Sequence, residues 1–551
     1  MSILFSVLLI TIVIFWIQTK IWKVEKNIVF PIFTAIFYFW SLAGSWLFSF
    51  DSLTHFGKKI GLQYYYLLEK MFYVKFDGVY LQAIWMYGIF IIVFQVFIWI
   101  GLIQLKKFPK NNQKREPLFL QPKVFIFTAL IFLCFSIWIV KDVIIYSLLL
   151  NESVYINIRS APIKGYTMHQ YACWIMIVSL FIYIGLFLKQ RNESLQIQKP
   201  GFFFWSVFAI CNLYLVIIGS RHETFFGGIL VLILMSYPFR SIRVNLKLYF
   251  SVIFVWFFIL MLNDPIRSLM PVIASKTGLT TALSSKEKMK EAVLFSSDRT
   301  FVAHKSPQIS AKIIAANALK DTTLYLKFDT VVINKNALIE QLNTHPSYIL
   351  IDHKKLKIAN SHISMAYQNI SFFTKVTLTL TNMIFSNELF AGHFSMYGVL
   401  SKNVKPKIGF SFKNLLYSFV PSTAVKTRPI DAYSYYAQEM KFKDGQGFTI
   451  NYITAWYLNF SYFGLILGPL FLCVILLFPF YLWKKSTNRL YQLFAVIALC
   501  GTTGFAAMMV RSGPESFKAL LYESIIIPIF IVYASIIIGK TVKKIKAKYG
   551  R

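Results

Sequence analysis

Charge is what this chain of 551 residues has least of: Asp, Glu, Lys and Arg make up 15% of it, against about a quarter of an ordinary soluble domain. That scarcity excludes a soluble globular enzyme and a disordered polyelectrolyte. Cysteine is scarce too. The five present, Cys134, Cys173, Cys211, Cys473 and Cys500, all sit inside apolar runs, which excludes a disulfide scaffold and a cysteine-ligated metal centre. There is no phosphate-cradling glycine loop ending in Lys-Ser/Thr and no dinucleotide-type glycine fingerprint, so nothing points to chemistry driven by ATP. His345, His353 and His362 lie eight and nine residues apart. Those spacings do not put them on one helical face, and they read as solvated histidines with no metal bound.

Hydrophobic residues supply 57% of the chain, aromatic residues 18%, and there are 55 Phe. The net charge of +34 is cut into short basic blocks between apolar runs, which is not a nucleic-acid footprint. The fold class expected is therefore an all-α polytopic membrane protein. A helix needs about 20 mostly apolar residues to cross a bilayer. Eleven segments qualify, near 2–19, 28–50, 80–104, 124–145, 167–188, 201–219, 225–239, 247–263, 452–483, 490–510 and 518–539. The first has no basic stretch before it and no small-residue cleavage site after it, so it is expected to be a retained helix.

Six segments carry the Lys and Arg bias that sets orientation. They run from Lys20 to Lys26, Lys106 to Lys123, Lys189 to Lys199, Arg240 to Lys247, Lys484 to Arg489, and Lys540 to Arg551. Together they hold 24 basic residues and only Glu25, Glu116 and Glu193 as acids. Eleven spans place all six on one side, the cytoplasm, with the N-terminus outside and the C-terminus inside. Three regions follow: helices over 1–263, a large external segment over 264–450, and helices plus a basic tail over 451–551. The external segment has 23 basic and 12 acidic residues, and long translocated segments escape the charge rule. It is expected to carry mixed helix and short strands, with a helix near Ser310–Leu319 and strand within Thr322–Ile333. The semi-apolar stretch 375–400 reads as an interfacial or re-entrant helix, because Glu388 and His393 interrupt any full span.

Candidate chemistry gathers at the outer ends of the helices. Gly219-Ser220 leads into Arg221-His222-Glu223, and Val510 leads into Arg511-Ser512-Gly513-Pro514-Glu515. An Arg at a helix exit in a short outer turn runs against the usual charge bias. Its planar fork suits phosphate oxygens at headgroup depth. The competing reading for each Arg is snorkelling to lipid headgroups or pairing with its nearby acid. His222, Glu223 and Glu515 are acid–base candidates. Glu523 lies inside the last span, where a carboxylate is costly and suggests function; its competing reading is an ion pair with Lys518 or with an Arg from another span. Asp264, Arg267, Asp431 and Glu439 read singly as solvated loop charges.

These turns resemble those of the bacterial O-antigen polymerases, the oligosaccharide repeat-unit polymerases. The likeness rests on Gly219-Ser220-Arg221, on Pro421 to Pro429 with its basic residues, on Gly445 to Gly464, and on the Arg511 turn. Ala455 stands where the family pattern often has an acidic residue. The resemblance implies a metal- and cofactor-independent glycosyltransferase of the bacterial inner membrane. Its donor would be a glycan on undecaprenyl diphosphate, its acceptor another lipid-linked repeat unit, and its pathway neighbours a flippase and a chain-length regulator. Arg221, Arg511 and Arg428 would hold the diphosphate. Glu223 is the favoured base, with Glu439 second and His222 beside it. Glu515, Glu523 and Tyr436 would support them, and Tyr433, Tyr435, Trp456 and Tyr457 could stack on sugar rings or simply pack. An O-antigen ligase shares the outer-face arginine logic, and a non-enzymatic lipid-linked oligosaccharide flippase is the alternative from another class.

Overall fold

In hydrocarbon the polar N–H and C=O groups of the backbone must satisfy one another, and a helix does so within one segment. The computed structural model accordingly folds the apolar runs as helices. It describes residues 2–54, 75, 77–107, 118–149, 166–189, 195–218, 324–326, 329–331, 348–351, 354–357, 388–420, 427–442 and 449–549. The long helices begin with α1 (Ser2–Val24), α2 (Val29–Thr54), α3 (Gly78–Lys106), α4 (Pro122–Leu149) and α5 (Tyr166–Lys189). The shorter α6 (Phe202–Ile218) follows. Four short helices come next: α7 (Glu388–Ser401), α8 (Phe410–Ser418), α9 (Ala432–Glu439) and α10 (Tyr452–Phe460). The chain closes with α11 (Gly464–Lys485), α12 (Arg489–Met509) and α13 (Ile527–Tyr549). A 3₁₀ turn Pro514–Ser516, the helical turn Phe517–Ala519 and a π-helical stretch Leu520–Ile526 lead into α13.

Among the described residues eight helical runs are long and apolar enough to cross a membrane. α6 is apolar but shorter, and the expected spans at 225–239 and 247–263 lie outside the described residues. Polar residues start the helices where the chain enters them. Asp77 accepts from Val79 and Tyr80 at α3, and Asn488 accepts from Leu490 at α12. These caps satisfy backbone donors that the first turn leaves open.

Two groups of helices make the bundle. α1 and α11 flank α3, and α2 packs on α3 and α12. α4, α5 and α6 form the second group, joined to the first through α13 and the π-helical stretch. α12 approaches that stretch so closely that a Cβ on Gly501 would sit 1.9 Å from the Ser524 carbonyl oxygen. Small residues permit such contact between membrane helices.

The basic segments converge on one face of the bundle. Lys484 bridges to Glu25 at 3.0 Å. β1 (Leu118–Leu120) and β2 (Leu195–Ile197) pair in parallel, which ties the segment before α4 to the segment before α6. Leu118, Leu195, Trp483 and Arg489 line one hollow there, and the Gln121 N–H donates to Ser535 Oγ of α13 at 2.8 Å. The 240–247 block lies outside the described residues. Two antiparallel hairpins follow in sequence: β3 (Leu324–Leu326) with β4 (Asp329–Val331), and β5 (Tyr348–Ile351) with β6 (Lys354–Lys357). The first falls inside the stretch expected to hold strand, and Ser310–Leu319 is outside the described residues.

α7 to α10 gather at the opposite face. α7 is a 14-residue helix whose residues 392–399 are all buried against α2, α3 and α10. His393 lies wholly inside: Nδ1 donates to the Ser41 carbonyl at 2.7 Å, and Nε2 meets the Tyr80 hydroxyl at 2.8 Å. A carbonyl only accepts, so Nδ1 carries the proton and the neutral ring takes the Tyr80 hydrogen at Nε2. The ninth expected span, 452–483, divides into α10 and α11. The chain turns at Ser461, with φ 54°, because Asn459 bonds Ser411 and the Ala455 carbonyl and holds the end of α10. Gly464 then packs so close to Trp456 that a Cβ would lie 2.3 Å from its carbonyl oxygen.

Candidate functional site

The turn after α12 is built by its own polar residues. Ser512 Oγ donates to the Met508 carbonyl at 2.8 Å, which satisfies an acceptor the helix end leaves open. Gly513 is extended, Pro514 starts the 3₁₀ turn, and Ser516 bonds back to the Gly513 carbonyl. Proline suits that first position because its missing N–H is not needed there.

Arg511 opens the turn with its guanidinium 5.5 Å over the Trp40 ring, a cation–π contact. α2 continues past Trp40 to Thr54, about 20 Å further at 1.5 Å per residue. Arg511 is therefore recessed well below the end of its neighbour. Further along the turn, Lys518 Nζ donates to the Ser418 carbonyl, and an Arg428 nitrogen donates to Val420 at 2.9 Å. Arg428 and Glu523 both act electrostatically on Lys518 and on the Tyr171 hydroxyl. These four groups, from α5, the α8–α9 connection and the approach to α13, share one neighbourhood. Two cations there stand beside one carboxylate. Glu523 is 8% exposed and sits in the π-helical stretch, a distortion that often marks functional sites.

The Glu515 carboxyl accepts from its own backbone N–H, from the Ala432 backbone and from Ser411, and Asp431 is near. Its Oε2 is buried with no hydrogen-bond partner among the described residues, and so are the Tyr452 hydroxyl and Trp456 Nε1. Tyr452 lies within electrostatic reach of Glu515 and 5.9 Å from Trp456 between ring centroids. A buried, unsatisfied polar group costs about 1–3 kcal/mol. The Tyr452 hydroxyl and the Trp456 side chain stand near enough to act on each other, so Glu515 Oε2 is the group here that the fold leaves open at its own expense.

Arg221, His222 and Glu223 lie outside the described residues. Glu439 is exposed in the last turn of α9, at the end away from Asp431. Beside it, burial and then the Glu439 carboxylate raise the Tyr435 phenol, whose hydroxyl donates to the Lys405 carbonyl at 2.8 Å. Tyr436 is fully buried, its ring 5.4 Å from Phe442, and burial raises its phenol well above the usual range. Trp456 packs among Phe412, Phe460 and Phe471, and Tyr457 against Tyr462. The structure thus brings Arg428 and Glu523 within reach of the same two groups, Lys518 and Tyr171, places Glu515 and Arg511 in one turn, and gives the aromatic cluster a packing role. No group of His, Cys, Asp and Glu suited to a metal occurs among the described residues.

Sequence reasoning passed over Lys518 as a ligand, Tyr171 and His169. His169 Nε2 meets the Tyr214 hydroxyl at 2.9 Å, and Tyr214 stands seven residues before Arg221 in sequence. Only its position, an ionisable residue just inside an apolar run, could have singled it out. No protein-family model, no curated protein and no solved structure matches the chain.

Proposed function

We propose that this protein is a glycosyltransferase of the bacterial inner membrane that polymerises undecaprenyl-diphosphate-linked oligosaccharide units at the periplasmic face. The reading takes eleven spans, a periplasmic N-terminus, residues 264–450 outside and the basic tail in the cytoplasm. The observation that carries it is the turn from Arg511 to Lys518. It combines the recessed Arg511 guanidinium with Lys518 and, from the α8–α9 connection, Arg428, and with a half-buried Glu515 whose Oε2 is buried, at the face opposite the basic segments.

That set matches what the transfer requires. A base takes the proton of the acceptor hydroxyl, whose oxygen bonds to the anomeric carbon of the donor. The bond from that carbon to the phosphate oxygen breaks, and the diphosphate leaves with the electron pair. Cations stabilise that departing charge. Arg511 and Arg428 hold the diphosphate, joined by Arg221 of the other short turn, and Lys518 adds charge. We take Glu515 as the base among the described residues; Glu223, favoured from the sequence, lies outside them, and a Gln at each position separates the two.

The test is the surface glycan of a deletion strain. A polymerase mutant builds, exports and ligates single repeats, so the core carries one unit and no ladder. Long chains left on undecaprenyl diphosphate would make the protein a ligase. Single units stranded inside would make it a flippase.

A further inference from the structure

The last helical run is longer than a membrane is thick. Pro514–Tyr549 spans 36 residues, about 54 Å at 1.5 Å per residue, against a hydrocarbon core of about 30 Å. Its last buried residue is Gly539, where β1 crosses it: a Cβ there would lie 2.7 Å from Phe119 Cδ1 and 2.9 Å from the Phe119 carbonyl oxygen. From Lys540 the helix continues to Tyr549 with every residue exposed except the half-buried Val542.

These ten residues are sorted around the axis. At about 100° per residue, Val542, Ile545 and Tyr549 fall within an arc of about 60°. Lys540, Lys543, Lys544, Lys546 and Lys548 occupy the remainder, with no acid among them. The apolar arc is uncovered, with Ile545 52% and Tyr549 69% exposed. A helix with an apolar stripe and a cationic face, leaving a membrane at one end, suits one environment: the boundary between headgroups and acyl chains. Its sign selects anionic lipid, since each Lys near such a surface adds favourable attraction.

We propose that Lys540–Tyr549 is an interfacial helix that binds anionic phospholipid headgroups of the same membrane α13 crosses. The apolar stripe enters the acyl boundary and the five lysines meet the phosphates. The helix runs unbroken through Gly539, the last packed contact, and on the membrane it bends there to lie along the surface. Glycine is a common site for such a kink. This assignment is independent of the glycosyltransferase reading.

The test uses the full-length protein in nanodiscs, with an environment-sensitive fluorophore on Tyr549→Cys in a Cys134→Ser background. Discs of neutral phosphatidylcholine are compared with discs containing phosphatidylglycerol. We expect a blue shift and loss of quenching by aqueous iodide only in the anionic discs. One molar salt, with a Debye length of about 3 Å, should reverse both effects, and so should Gln at all five lysines. That variant alters only residues beyond Gly539, and a label on Ile545→Cys gives a second reading from the same stripe. Equal iodide quenching in both lipids overturns the proposal. So does shielding that survives the five Gln substitutions, or shielding that appears only when an acidic protein is added.

Discussion

Gly513→Ala is the smallest change that should disable the proposed base without touching it. A Cβ at that position would lie 2.6 Å from the Ala432 Cβ, and 2.4 Å and 2.6 Å from the two Glu515 carboxyl oxygens. Carbon atoms in contact prefer about 3.5–4.0 Å, so α9 and the turn must part by about 1 Å. The carboxyl could swing aside if it were free, but Ser411 and Ala432 enclose it, and Ala432 Cβ moves only with its backbone. Misplacing a reacting group by about 1 Å costs about 10²-fold in rate, and overpacking costs about 1–3 kcal/mol of stability. Polymer formation should therefore fall by about 10²-fold, measured as the glycan ladder at matched protein level. The melting temperature of the purified protein should fall modestly. Gly513→Ala with Ala432→Gly removes the carbon–carbon clash and should restore much of both, a coupling that a double-mutant cycle reads directly. A wild-type ladder and wild-type melting from Gly513→Ala alone would refute the reasoning.

Arg511→Lys keeps the charge but loses the bidentate fork, so it should insert normally and lose most of the ladder, with Arg511→Ala worse; normal polymer from both would leave the residue as a packing partner of Trp40. Gly501→Ala should lower the melting temperature sharply, because its Cβ meets the Ser524 backbone, whereas Gly78→Ala, with nothing within 4 Å, should leave it nearly unchanged; equal melting of the two variants would contradict the close approach of α12 to the π-helical stretch. Cysteines placed near residues 340 and 425 should react with an impermeant reagent from outside the cell and those near 115 and 545 should not, and external labelling at 115 would reverse the orientation.

The helices were legible where hydropathy alone decides them. The run expected at 201–219 is α6, Phe202–Ile218, and that expected at 490–510 is α12, Arg489–Met509. Of the stretch 375–400, residues 375–387 lie outside the described residues; over the remainder α7 buries His393 between Ser41 and Tyr80. The break at Ser461 was not legible. Residues 452–483 are mostly apolar, and the turn depends on Asn459 reaching Ser411, nearly fifty positions away. At the site, Arg511 and Glu523 stood out as charges beside or inside apolar runs. The enclosure of Glu515 by Ser411 and Ala432 could not be read in advance, because it depends on how three short helices stack on one turn.

The π-helical stretch Leu520–Ile526 is in effect one surplus residue in the last helix, and each residue turns a helix by about 100°. Upstream of it, Lys518 must face Ser418 and Arg428; downstream, Ser535 must meet Gln121 and Gly539 must pass beneath Phe119. A regular α-helix of the same residues has a single phase and could satisfy one end or the other. The surplus residue acts as a phase shifter, letting the site end and the strand end of one rod be tuned separately. Deleting a single residue within Leu520–Ile526 would leave every apolar residue in a span and still set the two ends against each other.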